Sequence, residues 1–225
     1  MPLTYLVTGA NRGIGLELAR QLSVRGERIL GTARRPAEAT DLARLCHQVI
    51  PLDAADEASI DALPGHVKGQ PIDVLVNNAG VSSEAASIER LTAGELRRVF
   101  MINAFAPLLV TRALLPNLRA SARRVVFNIT SVLGSISRNT GGSSYPYRAS
   151  KAALNQLTVS LAHELRREGF TCVVAHPGWV RTDMGGPNAT ISPEQSAAGL
   201  LRVIDGLTPA DSGRFFNYDG TTIPW

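Results

Sequence analysis

A short apolar run, Thr4-Tyr5-Leu6-Val7, passes directly into the glycine-rich turn Thr8-Gly9-Ala10-Asn11-Arg12-Gly13-Ile14-Gly15, which opens a helical stretch from Ile14 to Arg25. A turn of this kind between a strand and a helix constrains the chain strongly. It delivers the carboxyl end of a strand to a helix N-terminus, the start of a β–α–β unit. The alternation then continues. Further strands are predicted at Arg28–Thr32, Gln48–Leu52, Val74–Asn77, Val125–Ile129, Thr171–Ala175 and Arg214–Asn217. Several are apolar on consecutive rather than alternate residues, as a strand covered on both faces requires. Helices are predicted at Ile14–Arg25, Glu95–Leu115, Ala149–Glu168 and Pro193–Asp205. In the third, Leu154, Leu157, Leu161 and Leu165 recur at helical spacing and mark one face. Repeated β–α alternation predicts an α/β, doubly wound fold with a parallel sheet and helices on both faces. No Pro/Gly/Ser linker divides residues 1–225, so one domain is expected.

Composition narrows the function. With 44% apolar residues the chain can bury a sizeable core without staples, and two cysteines, Cys46 and Cys172, argue against a disulfide scaffold and for a reducing compartment. The net charge of +4 comes from 23 basic and 19 acidic residues. The arginines fall in scattered pairs such as Arg97-Arg98 and Arg166-Arg167 rather than in a stripe, so no nucleic-acid partner is expected. No secretory signal and no run of ~18 apolar residues stands out. A soluble, cytoplasmic protein without a membrane or metal partner is the expectation.

Alone, the glycine turn reads either as a structural turn or as a pyrophosphate cradle. Its place before a helix favours the cradle, because helix N-terminal amides and the helix dipole both attract anions. The end of the second strand discriminates between cofactors. NAD sites place an acid there for the ribose 2′-hydroxyl. Here Ile29-Leu30-Gly31-Thr32 runs into Ala33-Arg34-Arg35, and a guanidinium suits a 2′-phosphate. Arg34 is therefore assigned to the phosphate of NADP(H), with Arg12 in reach of the same group.

Tyr147 and Lys151 stand four apart, on one face of a helix if a helix starts there. A phenol with a pKa near 10 is a poor base at neutral pH, and lowering it by about 3 units takes roughly 4 kcal/mol. A lysine cation at ~4 Å supplies about that energy at an effective dielectric near 20, with a further contribution expected from an oxidised nicotinamide. The chain has 21 arginines and only two lysines, Lys68 and Lys151, which points to a need for a compact ammonium at 151. Ser131 follows the strand Val125–Ile129 and reads either as a hydrogen-bond donor to a substrate oxygen or as a helix cap. Asn103, among apolar residues, either holds a water near Lys151 or satisfies nearby backbone. His176 reads as a packed strand-end histidine or as a residue approaching the nicotinamide pocket.

Together these motifs resemble the short-chain dehydrogenase/reductase family over essentially the whole chain, with Asp53 after the third strand, Asn77-Asn78-Ala79-Gly80 and Pro177-Gly178 falling in family order. The resemblance implies a Rossmann-type, seven-stranded sheet and a catalytic tetrad of Asn103, Ser131, Tyr147 and Lys151. It implies a cofactor set of Gly9, Asn11, Arg12, Gly13, Ile14, Gly15, Arg34, Asp53, Asn77, Ala79, Gly80, Tyr147, Lys151, Pro177, Gly178, Val180 and Thr182. Within that set Asp53 would meet adenine, Lys151 the nicotinamide ribose, and Val180 and Thr182 the carboxamide and pyrophosphate side. The segment from His176 to Gly186 and the tail from Ser212 to Trp225 are similar to the C-factor and sniffer-type carbonyl reductases. That subgroup implies a small-molecule carbonyl or alcohol substrate and a homodimer or homotetramer, and leaves a non-enzymatic, nucleotide-sensing or signalling role as the alternative. Two departures stand out. Ser131 precedes Tyr147 by 16 residues, with residues 137–144 expected to absorb the excess and line the pocket. The stretch after Met184 is brief, which implies a small lid and an open pocket.

Overall fold

The computed structural model describes residues 2–83, 85 and 87–225. Seven strands, β1 (Thr4–Val7), β2 (Arg28–Ala33), β3 (Gln48–Pro51), β4 (Val74–Asn77), β5 (Val125–Ile129), β6 (Thr171–His176) and β7 (Phe215–Asn217), form one sheet in the order β3-β2-β1-β4-β5-β6-β7. Every pairing between these strands is parallel. The longer helices are α1 (Gly13–Val24), α2 (Ala93–Phe100), α3 (Ala106–Ala113), α4 (Tyr145–Glu164) and α5 (Pro193–Gly206). The doubly wound, Rossmann-type expectation holds.

The consecutive apolar residues of the strands divide between two layers, as the alternation of side chains along a strand requires. Tyr5, Val7, Val76, Phe127 and Val173 pack with Leu18 and Leu22 of α1 and Leu200 and Ile204 of α5. Leu6, Leu75, Val126 and Cys172 face the other way, against Val110 of α3 and Ala162 of α4. Each fully buried leucine of this kind is worth about 2 kcal/mol over an exposed one.

Two helices differ from expectation, and both differences shape the site. The stretch predicted as one helix from Glu95 to Leu115 is α2, a π-helical turn over Met101–Phe105, and then α3. Pro107 explains the break, because it has no N–H to give the carbonyl of Asn103 four residues earlier. Helix α4 begins at Tyr145 rather than at Ala149, so Tyr147 lies inside it. Its buried stripe runs through Lys151, Leu154, Asn155, Thr158 and Ala162. The leucine line read from the sequence marks this face, with Leu154 in the stripe and Leu165 buried just past the helix, and polar Lys151, Asn155 and Thr158 share the face.

Candidate active site

Strands β1 and β4 are neighbours, yet the chain leaves β1 for β2 and β3 before returning to β4. Such a switch point opens a crevice at the carboxyl ends of the strands, and the glycine turn lies in it. Gly9 and Gly13 have φ of +62° and +54°, values that cost a side-chain-bearing residue strain. A Cβ on Gly15 would lie 2.5 Å from the Gly9 carbonyl oxygen and 2.6 Å from the Asn78 side-chain nitrogen. The turn is locked from β4. Asn78 donates to the carbonyls of Thr8 and Gly9 at 3.0 and 3.1 Å, and the Thr8 hydroxyl accepts from the amides of Asn78 and Ala79, each at 3.0 Å. Helix α1 has no side-chain N-cap, which leaves first-turn amides at Gly13, Ile14 and Gly15 for an anion. These features fit a dinucleotide pyrophosphate.

The remaining cofactor candidates are distributed around this cradle. Arg34 follows β2, is exposed, and has no ion-pair partner among the described residues, whereas Arg35 is held by Glu38 at 2.9 Å. Arg12 reaches across the turn to Asp183 at 3.1 Å and would have to leave it to take a phosphate. Asn11 is exposed on the same turn. The Asp53 carboxylate accepts from the Ala55 amide at 2.9 Å and organises the loop after β3. Asn77 turns its amide into the sheet, donating to Asn128 at 2.8 Å, while Asn128 donates to Thr158 at the same distance. A small cavity bordered by Thr8, Asn77, Ala79 and Ile102 lies beside it. On the far side, Pro177 is tied to Ser196 at 2.6 Å. Gly178 adopts φ +85° with Ile191 pressed against it, Val180 bridges to Ile191, and Thr182 lies 3.3 Å from the Cβ position of Gly13. The 177–186 segment and the glycine turn are therefore opposite walls of one crevice.

The four tetrad candidates converge at the carboxyl end of β5. Of the two readings of Ser131, the cap is seen: its hydroxyl accepts from the Leu133 amide at 3.2 Å. The same hydroxyl is near enough to the Tyr147 phenol to favour its ionised form. Lys151 is buried, donates to the Ile129 carbonyl at 2.9 Å, and lies 5.9 Å from the centre of the Tyr147 ring. Asn103 is wholly buried in the π-helical turn, where its side chain pairs with both backbone groups of Val81 at 2.9 Å and donates to Ser150 at 3.2 Å. Of its two readings, the backbone one is seen. Gly80 lies between them, its Cβ position 3.3 Å from Asn103 Oδ1 and 3.7 Å from Lys151 Nζ.

Burial works against charge on both members of the acid–base pair. Desolvation raises the Tyr147 phenol above its ordinary value, opposed by the Ser131 hydrogen bond, and desolvation lowers Lys151 to about 8. Lys151 still carries its proton at neutral pH. At the ring-centre separation a unit charge is worth about 3 kcal/mol with an effective dielectric near 20, somewhat less than the phenol requires. Burial therefore holds the phenol in its neutral form.

Several contributors lay outside the sequence reading. Thr8 and Asn78 lock the turn. A Cβ on Gly134 would meet Lys151 backbone at 2.8 Å, so Gly134 lets the 132–134 turn close on α4. Asn155 binds the Gly134 carbonyl at 3.2 Å and accepts from Thr130 at 2.7 Å. Of the 137–144 insert, Arg138 borders the open cavity beside β6 and β7, as do His176 and, from the aromatic tail, Tyr218. Trp225 instead stacks on Phe215 with ring centres 5.4 Å apart. No helix among the described residues is long and apolar enough to cross a membrane.

The comparison with known proteins agrees with this geometry. The family model for short chain dehydrogenase matches residues 4–191. The C-signal of Myxococcus xanthus is 54% identical over 155 residues, 69% of this chain and 93% of that protein. Among solved structures, NADPH-bound carbonyl reductase from chicken fatty liver superposes with a TM-score of 0.93 at 35% identity. The carbonyl reductase Sniffer of D. melanogaster does so with 0.93 at 34%, and in both cases the whole of each chain is covered. The protein belongs to the short-chain dehydrogenase/reductase family and is of the C-factor and sniffer type.

Proposed function

We propose that this oxidoreductase is an NADP(H)-dependent carbonyl reductase in which Tyr147 exchanges the proton of the carbonyl or alcohol oxygen. The observation that carries the reading is the buried Lys151 ammonium 5.9 Å from the centre of the Tyr147 ring, with the Ser131 hydroxyl near enough to favour the phenolate. When bound, NADPH supplies a hydride to the carbonyl carbon. The Tyr147 phenol gives its proton to the carbonyl oxygen, so that hydride and proton together turn the carbonyl into an alcohol. Ser131 orients that oxygen through its hydroxyl. Lys151, anchored on Ile129, offsets the charge left on Tyr147 until a solvent proton restores the phenol. Asn103 positions the Val81 backbone and Ser150 beneath the pair.

The residues that would hold the cofactor follow from the crevice. First-turn amides at Gly13, Ile14 and Gly15 face the pyrophosphate, and Arg34 the 2′-phosphate. Asp53 and Ala79 flank the adenosine side, and Val180 and Thr182 the nicotinamide side. The NADPH-bound neighbour supports the choice of cofactor. Following NADPH oxidation across a panel of aldehydes, ketones and quinones, beside an NADPH-binding titration, tests the proposal. Turnover is expected on at least one carbonyl class. Stoichiometric NADPH binding with no turnover on any would overturn it in favour of a nucleotide sensor.

A further inference from the structure

The catalytic residues do not account for the open cavity at the carboxyl ends of β6 and β7. It has a volume of about 330 Å³, within the range of small-molecule sites. Val132, next to Ser131 in the chain, and Gly178, on the crevice wall, both border it. The cavity therefore adjoins the segment that carries Ser131 and the wall that carries Gly178. Its walls are largely apolar, with Trp179, Ile191, Tyr218 and Ile223 contributing. The indole of Trp179 is held by its N–H, which donates to the Gly185 carbonyl at 2.8 Å.

Two polar groups in this lining are unspent. His176 borders the cavity, and its Nδ1 is shut off from solvent without a hydrogen-bond partner, a state that costs free energy. Arg138, on the exposed insert, borders the same cavity and has no ion-pair partner among the described residues. Burial, joined by the Arg138 guanidinium, disfavours the imidazolium and lowers His176 to about 4. Asp219 acts in the opposite sense, and its carboxylate accepts from the amide and hydroxyl of Thr221 at 2.9 and 2.6 Å. The cavity thus combines an apolar slot, an uncompensated guanidinium and a neutral imidazole. A guanidinium fork matches a carboxylate, and the neutral imidazole beside it adds no competing cation.

We infer that this cavity is a subsite for a carboxylate on the carbonyl substrate, held by Arg138 while the apolar body of the molecule packs against Trp179 and Tyr218. The inference rests on the carbonyl-reductase reading and adds the substrate class, an apolar or aromatic carbonyl compound bearing a carboxylate away from the reacting carbon.

The test pairs two probes of one shape, 4-carboxybenzaldehyde and its neutral methyl ester. Their binding to the NADPH-loaded protein is measured by tryptophan fluorescence, and their turnover in parallel. The carboxylate is expected to bind about tenfold more tightly than the ester. Arg138→Gln should bring the two dissociation constants together, and Arg138→Glu should invert the order. Equal affinities in the unmodified protein, or a preference that survives Arg138→Glu, would overturn the subsite. Binding preference without turnover of either probe would sustain the subsite while sinking the reductase reading. Turnover of both with equal affinity would do the reverse.

Discussion

The two ends of the crevice are built on opposite principles. Around β1, β2 and β4, polar groups are paired within the chain: the Gly9 amide binds the Thr32 hydroxyl at 3.1 Å, the Ala10 amide binds the Thr32 carbonyl at 2.9 Å, and Asn78 holds the turn from the other side. The amides left over are those at the start of α1, a fixed backbone receptor. Around β6 and β7, side chains are left unspent. His176 Nδ1 has no partner and Arg138 stands on an exposed loop. On the proposed reading the contrast is a division of labour: backbone at the start of α1, joined by Arg34, takes the dinucleotide that is constant, and side chains around β6 and β7 set the substrate that varies.

If the first end is as rigid as this reading has it, the smallest added group should break it. Gly15→Ala places a Cβ against Gly9 backbone at 2.5 Å. We expect a loss of about 1–3 kcal/mol or more of stability from overpacking, together with loss of measurable NADPH binding. Thermal unfolding and an NADPH titration read both, and a variant that binds NADPH normally would show that the turn is pliable.

The seam between the two ends is Lys151, and its cost is measurable. Its folded pKa of about 8 lies below the ordinary 10.5. Between these values the unfolded chain holds the proton more firmly than the folded one, so the lysine's contribution to stability rises with pH across that window and its penalty is fully present below about 8. In Lys151→Met this rise should vanish. The stability difference between variant and parent, read by urea unfolding from pH 7 to 10.5, should change by on the order of 2–3 kcal/mol. A pH-independent difference would mean that the ammonium is solvated.

A smaller effect sharpens the cofactor end. Arg34→Ala should weaken NADPH by about tenfold or more, the worth of a charge-assisted pair, and NADH by less than about twofold. Equal losses for the two would remove the 2′-phosphate role from Arg34.

Local chemistry made much of this legible in the sequence. The strands were readable because burial on both faces leaves consecutive apolar residues, and the glycine turn because its backbone angles exclude side chains. Tyr147 and Lys151 were readable because one helix turn joins them. What was hidden depends on partners distant in the chain. The break at Met101–Phe105 follows from Pro107, but the periodic apolar pattern runs through it unmarked. Asn78 locks a turn some 70 residues away, and Gly134 matters only because α4 passes against it. The leucine line of α4 marked its buried face but not the polar Asn155 and Thr158 that share it, because their partners Thr130, Gly134 and Asn128 lie elsewhere in the chain. His176 stayed undecided in the sequence because the cavity it borders is made with Arg138 and Tyr218, distant in the chain.

The central claim is that Tyr147 moves the proton. Its most direct test is Tyr147→Phe, assayed for NADPH-dependent carbonyl reduction beside an NADPH titration. Turnover should fall by about 10²-fold or more with the NADPH dissociation constant within about twofold of the parent. Turnover retained in this variant would contradict the account, whatever the cofactor affinity.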